Sequence, residues 1–558
     1  MADETLRERL NRRHTALQSE RSSFIAHWME LAEFIQPRRG RFLLQDRNKG
    51  DKRHSSIINS IASQAHKIAR SGMFAGLMSP ARPWFTLESS DPGLKEHQPS
   101  RLWRAHVTEV MNRIYADSNL YNMAPTMIGE LLMFGTGGML HLDDFDDVAR
   151  FYTLPAGSYC IAQDDKQRVN VCMREYEMTA EQLIGFAKER GGKVSDTVQT
   201  AYDKGNKDSW FPVVHYIGPN HDHRADNPLS KHKRIASIYY EPGNNDKEVL
   251  LSQMGYDEFP GYFPRWERTG EDVYGTDCPG MTALGDVKGL QVQEKLKAQA
   301  IHLMVRPPLT GPPSVASKPV TSLPGGLTVY DGGEGRQKLE TLFNIDPRLQ
   351  DMAFDMDRTE RRINQAFYVD MFLAISQMRG IQPKNEMELA QRNEERLLQL
   401  GPVLEQFHKE FQSRLIDRTL NQAFKAGILP VPPEELQGKP LKVSYTSTLA
   451  MAQRAVATSS IDRLAAFVGG LVTMGVTDGK KFDADQAIDE YGHALGSPPG
   501  LVVPDEVVQA QRQQEQQAAQ QQQAMEMAQG MANTAKMASD AKTDDKSVLT
   551  DMAEAARG

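Results

Sequence analysis

A short basic segment is the part of the chain whose residue types most directly indicate chemistry. Residues 37–53 read PRRGRFLLQDRNKGDKR, with seven Lys and Arg residues against two Asp. Cationic groups at this density can bind phosphates through counterion release. Apart from Phe42, no aromatic side chain lies among them to stack on bases, so the alternative, a solvated surface or a salt-bridge patch between subunits, is favoured. The basic residues are Arg38, Arg39, Arg41, Arg47, Lys49, Lys52 and Arg53.

No segment has the pattern of a nucleotide-binding loop. Residues 185–193 read GFAKERGGK, which has the wrong glycine spacing, and Val194 follows the lysine where a Ser or Thr is needed. The glycine-rich segment 332–335 lacks the strand before it and the helix after it that a dinucleotide loop requires. The sequence therefore predicts no nucleotide cofactor.

Two groups of potential metal ligands are better explained without a metal. Three histidines lie in a polar loop without helical i, i+4 spacing, so solvated side chains are favoured: His221, His223 and His232. The acidic run around 143–147 could hold a divalent cation, but a turn between two strands is favoured. We found no GxSxG motif and no arguable Cys/His pair, so the sequence predicts no catalytic, cofactor-binding or metal-binding residue.

Composition limits the class of protein. The chain has 558 residues, a net charge of −8 and three cysteines without CxxC spacing, which does not indicate a general nucleic-acid binder, a disulfide framework or a zinc site. Its N-terminus is charged and lacks the apolar core of a signal peptide. The longest uncharged apolar run, 464–477, is shorter than the ~20 residues that span a bilayer. We expect a protein made in the cytoplasm, without a membrane segment.

The elements around these residues begin with an α+β half. Residues 1–36, 55–79 and 101–135 are predicted to be helical. Alternating strands follow between 139 and 178, and again at 211–218 and 234–252. The segment TAEQ at 179–182 is a capping box that opens a helix ending at Gly191-Gly192.

A helix pair split by a Pro/Gly-rich insert is the most informative feature of the second half. The first helix ends at Pro307-Pro308, and residues 306–335 then contain six Pro and six Gly. A second helix opens at Asp346-Pro347 and places apolar residues on one face. This arrangement predicts a projecting stalk, and indicates an architectural part of an assembly rather than an enzyme. The apolar residues are Leu349, Met352, Met356, Ile363 and Phe367.

The remaining segments are also predicted to be mainly helical. Residues 385–426 form a long helix with a kink at Gly401 and Pro402, ended by Gly427 and Pro430. Residues 509–523 contain ten Gln, and small residues then recur at heptad-like spacing. This tail is predicted to be either a helix that packs closely with copies of itself or a disordered Gln-rich appendage.

Several segments, in this order, resemble the head-to-tail connecting (portal) proteins of short-tailed bacteriophages, the podoviruses. They cover residues from about 10 to 460, and their shared order and spacing carries the resemblance. The segments are PARPWFTL near residue 80, FGTGGM at 134–139, TLPAGSYCIAQDD followed by REYEMTAEQL, YGTDCPGMTALGDVKGLQ, VRPPL at 305–309, LGPVLEQFHKEF with LIDRTLNQAFKAGILPVPP, and VSYTSTLAMAQRA.

The resemblance implies a predominantly helical α+β portal fold. The subunit would form a ring, usually of twelve copies, at one capsid vertex, and double-stranded viral DNA would pass through it during packaging and ejection. The implied parts are an N-terminal α+β wing (1–279), stem helix one (280–304), a clip (305–345), stem helix two (346–378), a tunnel loop (379–384), a kinked wing helix and return strand (385–445), a crown (446–504), and a Gln-rich barrel helix or disordered tail (505–558).

The resemblance also implies partners and a place in the virion. The ring would dock the terminase motor and later the tail adaptor or nozzle, and would meet the major capsid, scaffolding and internal core proteins. DNA must slide through without being gripped, so an acidic ring with few basic bands suits this role. On the first stem helix, Lys288, Lys295 and Lys297 are candidates for such a band. Alternatively, these lysines are solvated surface residues beside Asp286 and Glu294. The DNA-facing band and the solvated surface both stay open.

Two other functions were weighed. The chain could be another structural phage protein, although a tail adaptor would usually be shorter and a scaffold more uniformly helical and charged. It could be a soluble nuclease or ATPase, against which the missing motifs argue. A negative-stain image showing a ring with a central hole would support the portal and exclude the soluble enzyme.

Overall fold

A computed structural model of the chain describes residues 4–42, 55–81, 83–91, 94, 97–144, 146–227, 229–310, 340–341, 349–377, 400–447, 449, 461, 464–475, 481–495, 503 and 505–540. The chain divides into two compact units: Met1–Lys95 with Leu102–Gln453, and Glu96–Arg101 with Arg454–Gly558. The predicted tunnel loop and most of the predicted clip lie outside the described residues. Across the described part of the chain, no helix has both the length and the apolar character needed to cross a membrane.

The N-terminal region contains four helices: α1 (Leu6–Ile35), α2 (Ile61–Met78), α3 (Gln98–Asp117) and α4 (Leu120–Phe134). The range 101–135, predicted to be helical throughout, is interrupted between α3 and α4. The interruption is stabilised locally, because the Ser118 hydroxyl donates to the Tyr115 carbonyl and the Asn119 amide exchanges two 2.8 Å hydrogen bonds with the Phe151 backbone. Helix α4 lies at the centre of the main hydrophobic core, where every residue from Met127 to Phe134 is buried.

A five-stranded antiparallel sheet forms the second layer. Its strands are β4 (Tyr159–Gln163), β5 (Val169–Thr179), β6 (Trp210–Pro219), β7 (Ile235–Tyr240) and β8 (Ser252–Tyr256), in the order β4-β5-β6-β7-β8. The range 234–252, predicted as strand, contains β7 and only the first residue of β8, because a turn separates the two.

The two faces of this sheet are covered by different helices. Because side chains alternate along a strand, Val214 faces Leu10 and Leu17 of α1, whereas Val213 faces α5 (Ala180–Glu189) and α6 (Asp196–Asp203). Helix α5 begins at the predicted capping box, in which the Thr179 hydroxyl accepts from the Gln182 N–H at 3.3 Å and the Gln182 amide oxygen accepts from the Thr179 N–H at 3.0 Å.

Two smaller sheets connect distant parts of the chain. Strand β2 (Gly138–Asp144) pairs with β3 (Val148–Leu154) and with β9 (Gly261–Tyr262). Strand β1 (Phe85–Ser89) pairs antiparallel with β12 (Leu441–Tyr445), which joins the N-terminal helices to the end of the first unit. The acidic run of the sequence forms the turn between β2 and β3, as predicted.

The two helices assigned to the predicted stalk, α7 (Pro279–Val305) and α8 (Leu349–Ala366), pack against each other, and their role as a stem stays a prediction. Between them, β10 (Leu309–Thr310) pairs antiparallel with β11 (Glu340–Thr341). The range 346–378, predicted as a single helix, instead contains two: α8 ends at Ala366, and α9 covers Val369–Gln377. Tyr368 between them has a left-handed φ of +55°, which a continuous helix cannot contain.

The long helix that follows contains an irregular segment that the sequence did not predict. Residues 400–407, including Gly401 and Pro402, are helical (α10), and a π-helical segment follows at His408–Gln412 before α11 (Ser413–Lys425). Residues 378–399 lie outside the described part of the chain, so the kink at Pro402 stays a prediction. Gly427, with φ +68°, follows the end of α11 as expected.

The second unit is helical where it is described. Residues 464–473 form α12, and α13 (Ala484–Leu495) and α14 (Asp505–Asp540) follow. Arg512 of α14 forms two hydrogen bonds to the Asp485 carboxylate of α13, at 2.6 and 2.9 Å. The helical alternative for the Gln-rich tail agrees with α14, and its role as a barrel stays a prediction.

Candidate functional site

The candidate site is centred on helix α7, which is buried along its first half and exposed along its second half. Its buried residues run from Pro279 to Gln291, where it packs against α1, α4 and α8. Beyond Gln291, large apolar side chains are exposed, for example 53% of Leu296 and 74% of Val305. The first half of α7 is therefore anchored in the core, and the second half projects from it.

Two glycine-containing motifs hold the start of α7. The segments FGTGGM and YGTDCPG, separated by more than a hundred residues, pack directly against each other. The Gly275 N–H donates to the Thr136 hydroxyl at 2.8 Å, and a Cβ on Gly275 would lie 2.1 Å from the Gly135 carbonyl oxygen. A Cβ on Gly280 would lie 2.8 Å from the Met133 carbonyl oxygen. Only glycines allow these backbones to approach so closely, so the motifs serve to fix α7 against α4.

A polar node joins α7, α8 and the segment before α2. The Gln291 side-chain oxygen accepts from the N–H groups of Ile58 and Asn59, at 2.7 and 2.8 Å, and its amide donates to the Asn59 carbonyl at 2.9 Å. The Asn59 amide donates to Glu294 of α7 at 3.1 Å and to Glu360 of α8 at 2.8 Å. These buried and half-buried contacts set the two helices relative to each other. Sequence reasoning missed this node, because Gln291 and Asn59 carry no recognisable motif.

The three candidate lysines of α7 do not lie on one face. At 100° per residue, Lys288 and Lys295 share a side of the helix, whereas Lys297 lies on the opposite side. Lys288 is paired with Glu30 of α1, and Lys297 lies 3.8 Å from Glu294. Lys295 is exposed and has no ion pair among the described residues. Asp286, the other acidic neighbour considered, pairs instead with Arg362 of α8 at 2.8 Å. The role of the three lysines as a DNA-facing band stays a prediction.

The basic loop enters the core at one point. Arg39 donates to the Glu130 carboxylate at 3.1 Å and to the Thr126 carbonyl at 3.0 Å, with its side chain 14% exposed and that of Glu130 3% exposed. The other Glu130 oxygen accepts from the Ala156 N–H at 2.9 Å. Burial raises the pKa of Glu130, and the charge of Arg39 opposes that rise.

The other basic residues have different positions. The Arg41 N–H donates to the Ala156 carbonyl at 2.7 Å, so the loop follows the turn before β4, and Arg38 also has an interaction within the chain. The phosphate or intersubunit role proposed for this patch stays a prediction. Four of its members lie outside the described residues: Arg47, Lys49, Lys52 and Arg53.

A second buried ion pair fixes the π-helical segment. Arg265, 1% exposed, donates through its backbone N–H and its Nε to the Glu410 carboxylate at 2.9 and 3.1 Å. It also donates to the Gln163 side chain at 3.0 Å and to the Gln167 carbonyl at 3.0 Å. Arg265 thus holds the long helix against the end of β4 and the turn that follows it.

His223, His232 and the acidic turn have hydrogen-bond partners within the chain. His221, His223 and His232 are not buried, and ring nitrogens of the last two donate to backbone carbonyls of His232 and Asp222. The Asp144 carboxylate accepts from Arg150 and from the Asp146 N–H. Among the described residues, no group of three or more His, Cys, Asp and Glu side chains could hold a metal ion.

Comparison with known proteins identifies the family. The family model described as bacteriophage head to tail connecting protein matches residues 7–503. The portal protein of Salmonella phage epsilon15 is 39% identical over 554 residues, covering 99% of both chains. The probable portal protein of Bordetella phage BPP-1 is 39% identical over 560 residues, covering 100% of both chains. The fold is a helix-rich combination of helices and antiparallel sheets. The chain belongs to the bacteriophage head-to-tail connecting proteins, and the predicted family is confirmed.

A solved structure also aligns with much of this chain. A chain from the virion of a native gene transfer agent particle aligns with 75% of this chain and 90% of its own length, at 12% identity and a TM-score of 0.34. The family assignment depends on the sequence relatives.

Proposed function

We propose that this chain is the portal subunit of a bacteriophage, which assembles into a ring at one capsid vertex and conducts double-stranded DNA during packaging and ejection. The observation that carries this proposal is the end-to-end similarity to two phage portal proteins. In this role the chain is a structural component of the virion. Ring closure with about twelve copies follows from the resemblance and from the preference of homo-oligomers for closed symmetry.

The projecting half of α7 supports ring formation. Val292 and Leu296 lie four residues apart on one side of the helix and are 57% and 53% exposed in a single subunit. Burying the remaining exposed half of such a side chain stabilises an assembly by about 1 kcal/mol. In the proposed ring, α7 and α8 form the stem, and the α7 of each subunit covers apolar side chains of its neighbour.

A charge placed on this face tests the ring. Leu296→Glu should convert rings to folded smaller species, because a buried, unpaired carboxylate opposes assembly. Ala298→Glu is the matched control, since it puts the same charge on an exposed position about 200° around the helix. Native mass spectrometry and negative-stain images of the unmodified protein should show a ring of about twelve copies. A stable monomer from the unmodified chain at micromolar concentration would contradict the proposed ring. Intact rings from Leu296→Glu would contradict this interface.

The segment between α7 and α8 is the proposed docking site of the terminase motor. The antiparallel pair Leu309–Thr310 with Glu340–Thr341 brings the two ends of the insert together. Deleting residues 312–335 should therefore leave ring assembly largely intact and abolish motor binding, measured by co-sedimentation with purified terminase. Loss of the rings, or unchanged motor binding, would contradict this assignment.

The motor rather than the portal supplies the energy in this proposal. We propose that the ring itself hydrolyses no ATP, and that capsid, scaffolding, internal core and tail adaptor proteins bind it at other surfaces. Phosphate release measured on protein purified to homogeneity provides the check. Robust ATPase activity that co-purifies with the ring through successive columns would overturn it, and would favour the alternative of an enzyme.

A further inference from the structure

A cleft lies between α1 and the strand ends of the five-stranded sheet. It has a volume of about 660 Å³, in the usual range of sites that bind ligands or short peptide segments. One wall is the exposed side of α1, and the other is formed by β5 to β8 and the loop after β6. Both walls belong to the first unit. Residues that define it are Arg9, Arg12, Arg13, Tyr216, His221 and Ile238.

The α1 wall carries positive charge that the subunit does not balance. Arg9 and Arg13 are exposed and four residues apart, so their like charges destabilise the helix slightly. Arg12 pairs with Glu4 at 3.0 Å in an exposed geometry, and neither Arg9 nor Arg13 has a hydrogen bond or ion pair among the described residues. Among the described residues that line the cleft, Asp222 is the one carboxylate. The cleft is therefore electropositive.

The opposite wall is mixed, with polar side chains such as Asn170 and Gln253 beside an apolar floor. Val171, Ala236 and Ile238 line the floor together with Leu10 from α1. Tyr216, 8% exposed, donates its hydroxyl to the Pro219 carbonyl at 3.2 Å. Burial raises the pKa of Tyr216, and the charges of Arg13 and Arg9 act against that rise. Both guanidinium groups therefore lie within electrostatic range of the phenol.

We propose that this cleft binds an acidic peptide segment of another protein, with carboxylates that pair with Arg9 and Arg13 and an apolar side chain that packs on the floor. Guanidinium groups bind carboxylates through paired hydrogen bonds. Duplex DNA fits less well, because it would offer phosphates to the arginines and nothing to the apolar floor. Single-stranded nucleic acid also fits less well, because Tyr216 is buried and engaged and cannot stack on a base. The proposal does not depend on ring assembly or on the portal role.

A charge-reversed variant of the full-length protein tests the cleft. The probe is a short fluorescein-labelled peptide of alternating Glu and Leu, compared with the same peptide carrying Gln in place of Glu. Anisotropy should show that the acidic peptide binds at least about tenfold more tightly than the Gln peptide, and that Arg9→Glu/Arg13→Glu removes this preference. The control Arg113→Glu/Lys188→Glu changes the net charge equally at exposed positions, Lys188 being on α5 at the other face of the sheet.

The outcomes separate the proposal from its rivals. Equal binding of the two peptides, or equal loss in the control variant, would overturn it. A short duplex that binds while the acidic peptide does not, and that is released by Arg9→Glu/Arg13→Glu, would also overturn it and assign the cleft to nucleic acid. If the reversed variant unfolds, Arg9→Gln/Arg13→Gln replaces it, and unchanged peptide affinity in that folded variant would count against the proposal.

Discussion

Gly275 lies against the backbone of Gly135, so closely that a Cβ on Gly275 would be 2.1 Å from the Gly135 carbonyl oxygen. Helix α7 begins four residues after Gly275, and α4 ends one residue before Gly135. Gly135 itself has φ +76°, a conformation that favours glycine. This contact therefore sets the position from which the proposed stem leaves the core.

The first prediction is that Gly275→Ala destabilises the first unit. The added methyl group meets backbone atoms, which cannot rotate away as a flexible side chain can, so we expect a cost of about 2 kcal/mol or more. The thermal midpoint, followed by tryptophan fluorescence, should fall by several degrees. Gly185→Ala is the control, because this helical glycine has open space around its Cβ position, and the change should be neutral or stabilising by up to about 1 kcal/mol. Equal midpoints for the two variants would contradict the prediction.

The second prediction concerns the buried pair Arg39–Glu130. Removing one partner leaves an unpaired buried charge, so Glu130→Met and Arg39→Met should each cost about 3–5 kcal/mol. The double variant should cost clearly less than the sum of the two, because it leaves no unpaired charge. Urea unfolding of all four proteins gives the coupling free energy. Additive effects would show that the pair does not act as a unit.

The buried pair also shows what sequence reasoning could and could not find. Local patterns were sufficient for α5, whose capping box lies within four residues, and for the end of α7, which Pro307-Pro308 marks. Arg39 was recognised as basic, but its partner Glu130 lies 91 positions away in a helix, and only the tertiary fold brings the two together. The family resemblance supplied the function, whereas the residues that hold the stem in place came from the structure.

The break between α8 and α9 had no local signal at all. The Phe367-Tyr368 pair continues the apolar pattern of α8, and a non-glycine residue with φ +55° cannot be recognised from its type. Tyr368 is held there by tertiary packing, with its ring 6.4 Å from that of Trp266. The π-helical segment at His408–Gln412 is similar, because Arg265 stabilises it from a distant part of the chain.

The third prediction is a loss of stability in mild acid. Burial lowers the pKa of His66 to about 3 and that of His14 to about 4, from 6.5 in the unfolded chain. The unfolded state then binds more protons below pH 6.5, so stability is complete above that pH and falls as the pH is lowered. For His66 alone the loss at pH 5 is about 2 kcal/mol.

The geometry of His66 explains this shift, and a substitution isolates it. Its Nε2 donates to the Gly129 carbonyl at 2.8 Å, while its buried Nδ1 has no hydrogen-bond partner among the described residues, so a second proton would have no acceptor there. His66→Gln should reduce the slope of stability against pH by about one proton, roughly 1.4 kcal/mol per pH unit. The readout is this slope between about pH 6 and pH 4.5, whatever the absolute stability of the variant. An unchanged slope would rule out His66 as the titrating group.

The fourth prediction separates the lysines of α7. Lys295 is exposed without an ion pair among the described residues, whereas Lys288 is paired with Glu30. In assembled rings, Lys295→Gln should reduce the salt dependence of duplex DNA binding, because each lost phosphate contact lowers the slope by about 0.9. Lys288→Gln removes the same charge and should change the slope less. Fluorescence anisotropy over a range of salt concentrations gives both slopes, and identical effects would show that Lys295 has no special role.

The fifth prediction concerns the Gln-rich helix α14, in which Met525, Met527 and Met531 are 70%, 64% and 73% exposed. A single helix that buries so little is weak on its own, but neighbouring copies in a ring could cover these side chains. We therefore expect amide exchange in 505–540 to be fast in an isolated subunit and clearly slower in the ring, and limited proteolysis to follow the same order. Truncation after Pro504 should leave ring assembly intact, since α7 and α8 lie upstream, and should impair DNA retention or ejection. If 505–540 is cut equally fast in subunit and ring, the helix is not covered by its neighbours and the barrel assignment fails.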